Sequence, residues 1–126
     1  MQKDSISIIK NKIGSKSWSE RQEGVSMINK LGIPVDEKQE DLLISILTPL
    51  AEDPKWEVRR LVASTLTNFR YIKVEEIIDK LIVDSNKWVK EVAGRVRRKL
   101  KISESTDKRD RKYDYVLGLI RKLKRK

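Results

Sequence analysis

Two segments of this chain repeat one order of residue types: acid, tryptophan, valine and base. Asp53-Pro54-Lys55-Trp56-Glu57-Val58-Arg59 runs into Arg60-Leu61-Val62-Ala63-Ser64-Thr65-Leu66, and Asp84-Ser85-Asn86-Lys87-Trp88-Val89-Lys90 runs into Glu91-Val92-Ala93. Setting Val58 on Val89 brings Asp53 onto Asp84 and Arg59 onto Lys90, 31 residues apart. A weaker copy lies upstream, where Trp18-Ser19-Glu20-Arg21 precedes Gly24, Val25 and Ile28. Its acid position is held by Ser15, 38 residues before Asp53. Self-similarity at such a period implies stacked helix pairs, because one pair alone cannot bury its apolar face.

Hydrophobic spacing places the helices. Ile6, Ile9 and Ile13 mark a first helix over residues 3–13, ended by Gly14 and Ser15. Ser17 caps a second that reaches Leu31, and Gly32-Ile33-Pro34 forms a turn. Asp36 opens a third over residues 37–51, in which Pro49 removes the donor for the Ser45 carbonyl and breaks the regular bonding. Asp53 caps the fourth, with Pro54 expected in its first turn, and Val58, Val62, Leu66 and Phe69 form its buried stripe. A fifth spans residues 74–83, and Asp84 or Ser85 caps a sixth with Val89, Ala93, Val96 and Leu100 inward. Gly94 within it is expected to mark a close helix approach. Residues 103–107 read as a linker, and a basic amphipathic helix follows with Tyr113, Val116, Leu117, Ile120 and Leu123 on one stripe. The expected fold is therefore all-α: a short α-α superhelix of about three helix pairs over residues 1–102, then a linker and basic C-terminal helix over 103–126.

Composition narrows the chemistry. The sequence contains neither Cys nor His, so it lacks a thiolate, a disulfide framework and the commonest general base and metal ligand. The five glycines are scattered and form no phosphate-binding loop. No catalytic residue, metal ligand, cofactor or small-molecule substrate is expected. No apolar run resembles a signal peptide or membrane span, so an intracellular, cytoplasmic protein is the expectation. The net charge of +10 is unevenly placed: residues 1–89 balance 14 basic against 14 acidic side chains, whereas residues 90–126 hold 15 basic and 5 acidic ones. A basic region of this kind either solubilises a last helix or meets nucleic acid, an acidic protein or, less favoured, an anionic membrane.

The pattern from Asp53 to Leu66 resembles the HEAT repeat of armadillo-like α-solenoids, and Asp84 to Gly94 matches again with Lys90 in the arginine place. The likeness covers about residues 3–101. It implies that Asp53, Arg59, Asp84 and Lys90 belong to the scaffold between repeats. The repeat spacing is shorter than the ~40 residues usual for such units, so short connections are expected. Lys55 to Arg59, with Asp84 to Ala93 and the following arginines, is similar to small bacterial HEAT modules that serve as sensing or assembly surfaces for an effector. The turns Ser15 to Arg21 and Asp84 to Asn86 look like those of TOG domains, although those domains stack about twice as many repeats. The Trp18/Arg21 segment is faintly similar to HEAT-like DNA glycosylases, but no Asp stands in a matching context.

The resemblance implies a non-enzymatic protein-interaction or scaffold module. Tryptophan beside arginine is frequent where partners bind, which makes Trp56, Arg59, Arg60, Trp88, Trp18 and Arg21 the candidate partner-binding residues; for the tryptophans, packing between repeats is the competing role. The alternative is a nucleic-acid-binding accessory protein that tracks phosphates with Lys90, Arg95, Arg97, Arg98, Lys99, Lys101, Arg121, Lys122, Lys124 and Arg125. In that reading Arg95, Arg98 and Lys99 are expected along one side of their helix.

Overall fold

The computed structural model describes residues 3–104, and these form an all-helical stack without strands. The elements are α1 (Lys3–Ile13), α2 (Trp18–Leu31), α3 (Glu37–Leu47), α4 (Trp56–Thr65), α5 (Tyr71–Leu81) and α6 (residues 87–104). Short 3-10 turns, Thr48–Glu52 and Leu66–Asn68, extend α3 and α4. Short connections join α1 to α2, α3 to α4 and α5 to α6, giving three consecutive pairs. The second helices of successive pairs pack on one another, α2 on α4, and the first helix α3 packs on α5.

Local chemistry sets the boundaries. Gly32 closes α2 with a positive φ of 71°, a conformation that costs glycine little. Asp36 Oδ1 accepts the Gln39 N–H at 2.7 Å, and Gln39 Oε1 accepts the Val35 N–H at 2.7 Å, so the start of α3 is clamped in both directions. Regular α-bonding stops at Leu47 and a 3-10 turn carries Pro49, as the missing proline N–H requires.

Four boundaries differ from expectation. Helix α4 begins at Trp56 with Lys55 in the cap position, so Pro54 lies in the preceding turn rather than inside the helix. Asp53 Oδ1 instead accepts the Lys55 N–H at 2.9 Å, closing an Asx turn. Asp84 does the same for Asn86 at 2.9 Å, and Asn86 rather than Asp84 or Ser85 caps α6, its Oδ1 accepting the N–H groups of Trp88 and Val89. Helix α5 starts at Tyr71, earlier than residue 74, because the Tyr71 ring is buried and extends the apolar face by another turn. Helix α6 runs through Ser103 and Glu104, where a linker was expected. The rest of that linker and the basic helix lie outside the described residues.

The core is continuous along the stack. Val25, Leu43, Leu47, Val58, Val62, Leu66, Ile78 and Val89 are all fully buried, one or more from every pair. The close helix approach occurs at Gly24 and not at Gly94. A Cβ on Gly24 would stand 2.8 Å from Ile13 Cγ1 and 3.3 Å from the Ile13 N, so α1 lies directly on the bare glycine backbone. A Cβ on Gly94 would meet only Arg98 Nη1, at 3.7 Å.

Candidate functional site

The repeated acid and base join neighbouring repeats. Arg21 donates from Nε to Asp53 Oδ2 at 2.7 Å and from Nη2 to Oδ1 at 3.1 Å, and Arg59 binds Asp84 through the same atoms at 2.8 and 3.1 Å. The third guanidinium nitrogen reaches back to turn carbonyls: Arg21 Nη1 to Ser15 and Lys16, Arg59 Nη1 to Asp53. Ser15 fills the acid place of the first unit. Its Oγ accepts the Ser17 N–H at 3.0 Å, the bond that Asp53 and Asp84 make in their own turns.

Burial alone would raise the pKa values of Asp53 and Asp84. The paired guanidinium and the turn N–H outweigh it, so both carboxyls sit below the usual carboxylate range. Arg21 and Arg59 are raised correspondingly by the hydrogen bonds they donate to Asp53 and Asp84. A parallel link joins the first helices: Glu40, buried on α3, accepts the Arg70 backbone N–H at 3.1 Å and its Nη2 at 2.6 Å. Arg21 and Arg59 thus have their guanidiniums engaged within the scaffold.

Beside this ladder, α4 and α6 leave a groove of about 590 Å³. Leu61, Val92 and Val96 contribute apolar surface, Trp56 stands at its α4 N-terminal end, and Gln22 reaches it from α2. Arg60, Arg95 and Lys99 line its edges, are exposed, and make no ion pair among the described residues. Glu57 Oε1 and Thr67 Oγ1 are buried in the same groove with no hydrogen-bond partner among the described residues.

The expected basic row divides between two faces of α6. Arg95 and Lys99 face the groove, whereas Lys90, Arg97, Arg98 and Lys101 gather around Ile82 and Gly94 in a depression of about 350 Å³. Arg98 therefore does not share a side with Arg95 and Lys99: as the residue next to Lys99 it is turned about 100° from it, onto the other flank of Arg95. Among the tryptophans, Trp56 is half-buried against the core, Trp18 has Lys55 Nζ 5.7 Å from its ring, and Trp88 is 46% exposed with Lys87 Nζ at 4.8 Å. Arg121, Lys122, Lys124 and Arg125 lie outside the described residues.

Sequence reasoning singled out Trp56 and Arg60 but not Glu57, Leu61, Ser64, Thr67, Val92 or Val96 as groove residues. A signal for the floor was present, since Leu61 and Val92 occupy the same place in successive repeats. Among the described residues, no group of three or more acidic side chains gathers as a metal site, and no helix is long and apolar enough to cross a membrane. No protein-family model matches the chain, and no curated protein matches it.

Proposed function

We propose that this protein is a non-enzymatic interaction module of HEAT-like architecture, which binds a protein partner along the groove between α4 and α6. The observation that carries the reading is the combination of an apolar floor with three exposed cations that make no ion pair among the described residues. A surface meant only for solvent gains nothing from a concave apolar strip, whereas an interface uses the strip for affinity and the rim charges for orientation. The ladder holds the walls at fixed spacing, so the groove meets its partner preformed.

The test places a photo-crosslinking residue at Ser64, which lines the groove, and in a control at Ser45, which is exposed on α3. Protein adducts concentrated at Ser64 are expected. Adducts equally frequent at Ser45, or removed by nuclease, would count against the groove.

One observation favours the second reading, a nucleic-acid-binding accessory protein. The depression around Ile82 and Gly94 holds four cations and no acid, and the Nε of Arg97 is buried there without a hydrogen-bond partner among the described residues. Oligonucleotide affinity that falls steeply with salt and responds to Arg98→Glu would support it.

A further inference from the structure

We infer that the occupant of the α4–α6 groove is an amphipathic helix whose apolar stripe is flanked by acidic residues. The inference rests on the interaction-module reading and adds the partner's charge and conformation. Both walls are helices whose backbone groups are already bonded internally. An extended segment would therefore leave its own N–H and C=O groups unmatched, while a helix brings its backbone satisfied. Leu61, Val92 and Val96 offer it an apolar seat.

Charge then selects the flanks. Arg95 and Lys99 stand four residues apart on one wall, about 6 Å along the axis, which matches acids spaced i, i+4 on a partner helix. Arg60 stands on the other wall and meets an acid on the opposite flank. Arg21, Arg59 and Arg70, in contrast, are each bound to a carboxylate of this chain. The apolar floor decides between acidic protein and nucleic acid. Leu61, Val92 and Val96 reward an apolar stripe, which a phosphate backbone lacks, whereas the depression on the far face of α6 sets four cations around only Ile82 and Gly94.

The experiment selects, on the full chain, a displayed library of amphipathic helices in which the flanking positions vary freely between Asp, Glu, Lys, Arg, Ser and Gln. Enriched peptides are then titrated by fluorescence anisotropy against two variants of equal charge change, Arg95→Glu/Lys99→Glu and Arg98→Glu/Lys101→Glu. Acid-flanked helices are expected to enrich, with binding weakened at least about tenfold by the first variant and less than about twofold by the second. Enrichment of basic helices, equal losses in both variants, or no enrichment would overturn the acidic-helix inference. Protein adducts at Ser64 would still sustain the interaction reading in those cases, and their absence would remove both. An oligonucleotide that displaces the peptide and is lost in the first variant alone would make the groove a nucleic-acid site.

Discussion

Arg59 binds both carboxylate oxygens of Asp84 across the boundary between two repeats, and its remaining nitrogen holds the carbonyl of Asp53 at 2.7 Å. One side chain thereby fixes two successive turns. Arg21 does the same one repeat earlier, with Asp53 as its acid and Ser15 as its turn. Both pairs are largely shielded from water, so their geometry matters more than that of a surface ion pair.

Asp84→Ala is expected to destabilise the fold by about 3 kcal/mol, because it leaves the Arg59 guanidinium partly buried without its carboxylate. Arg59→Lys keeps the charge but loses the two-pronged contact, and falls between wild type and Asp84→Ala. Urea melts of both variants check this order. Equal midpoints for wild type and Asp84→Ala would show that the ladder contributes no net stability.

Acid should loosen the stack through the same residues. Asp53 and Asp84 have folded-state pKa values below their unfolded ones, so the unfolded chain binds more protons as pH falls. Their contribution is fully present above the unfolded carboxylate range, near pH 4, and disappears as pH drops through the folded values. Urea midpoints measured from pH 6 down to pH 2 should decline in this window, and Asp84→Asn should flatten the decline. A slope unchanged in that variant would assign the acid sensitivity to other groups.

The two helix glycines predict opposite outcomes. Gly24→Ala drives a methyl to 2.8 Å from Ile13 Cγ1, an overpacking that costs about 1–3 kcal/mol and exceeds the gain in helix propensity of about 1 kcal/mol. Gly94→Ala meets nothing closer than 3.7 Å and should stabilise by up to about 1 kcal/mol. Thermal melting of the pair decides the matter, since a close approach at Gly94 would reverse its sign.

Asn86→Ala should cost about 1 kcal/mol by freeing the N–H groups of Trp88 and Val89, while Ser85→Ala should be near neutral. Comparing their chemical melts separates the cap observed from the one expected at Ser85.

The resemblance carried by the repeated acid and base implied a scaffold contact, and Asp53, Arg59 and Asp84 make one. Lys90 makes no ion pair among the described residues and lines the basic depression instead. Aligning the Trp18 segment on the Trp56 segment placed Ser15 in the acid position. The apolar stripes of α4 and α6 were legible for the same reason: each is a periodic property of one segment, written in residues a few places apart. Helix starts were less so, because Lys55 and Asn86 take their cap positions only after Asp53 and Asp84 have bent the turns.

What the sequence by itself determined is the unit and its repetition, since helix period, turn chemistry and the matching of acid to base are all local patterns. Tertiary structure alone decided that Gly24 receives α1, that Glu40 is buried against Arg70, and that Arg95 and Lys99 join Arg60 while Lys90, Arg97, Arg98 and Lys101 face away. These depend on the angle and depth at which one helix pair settles on the next. That geometry is fixed by side-chain packing between different helices and not by the order of residues within any one of them.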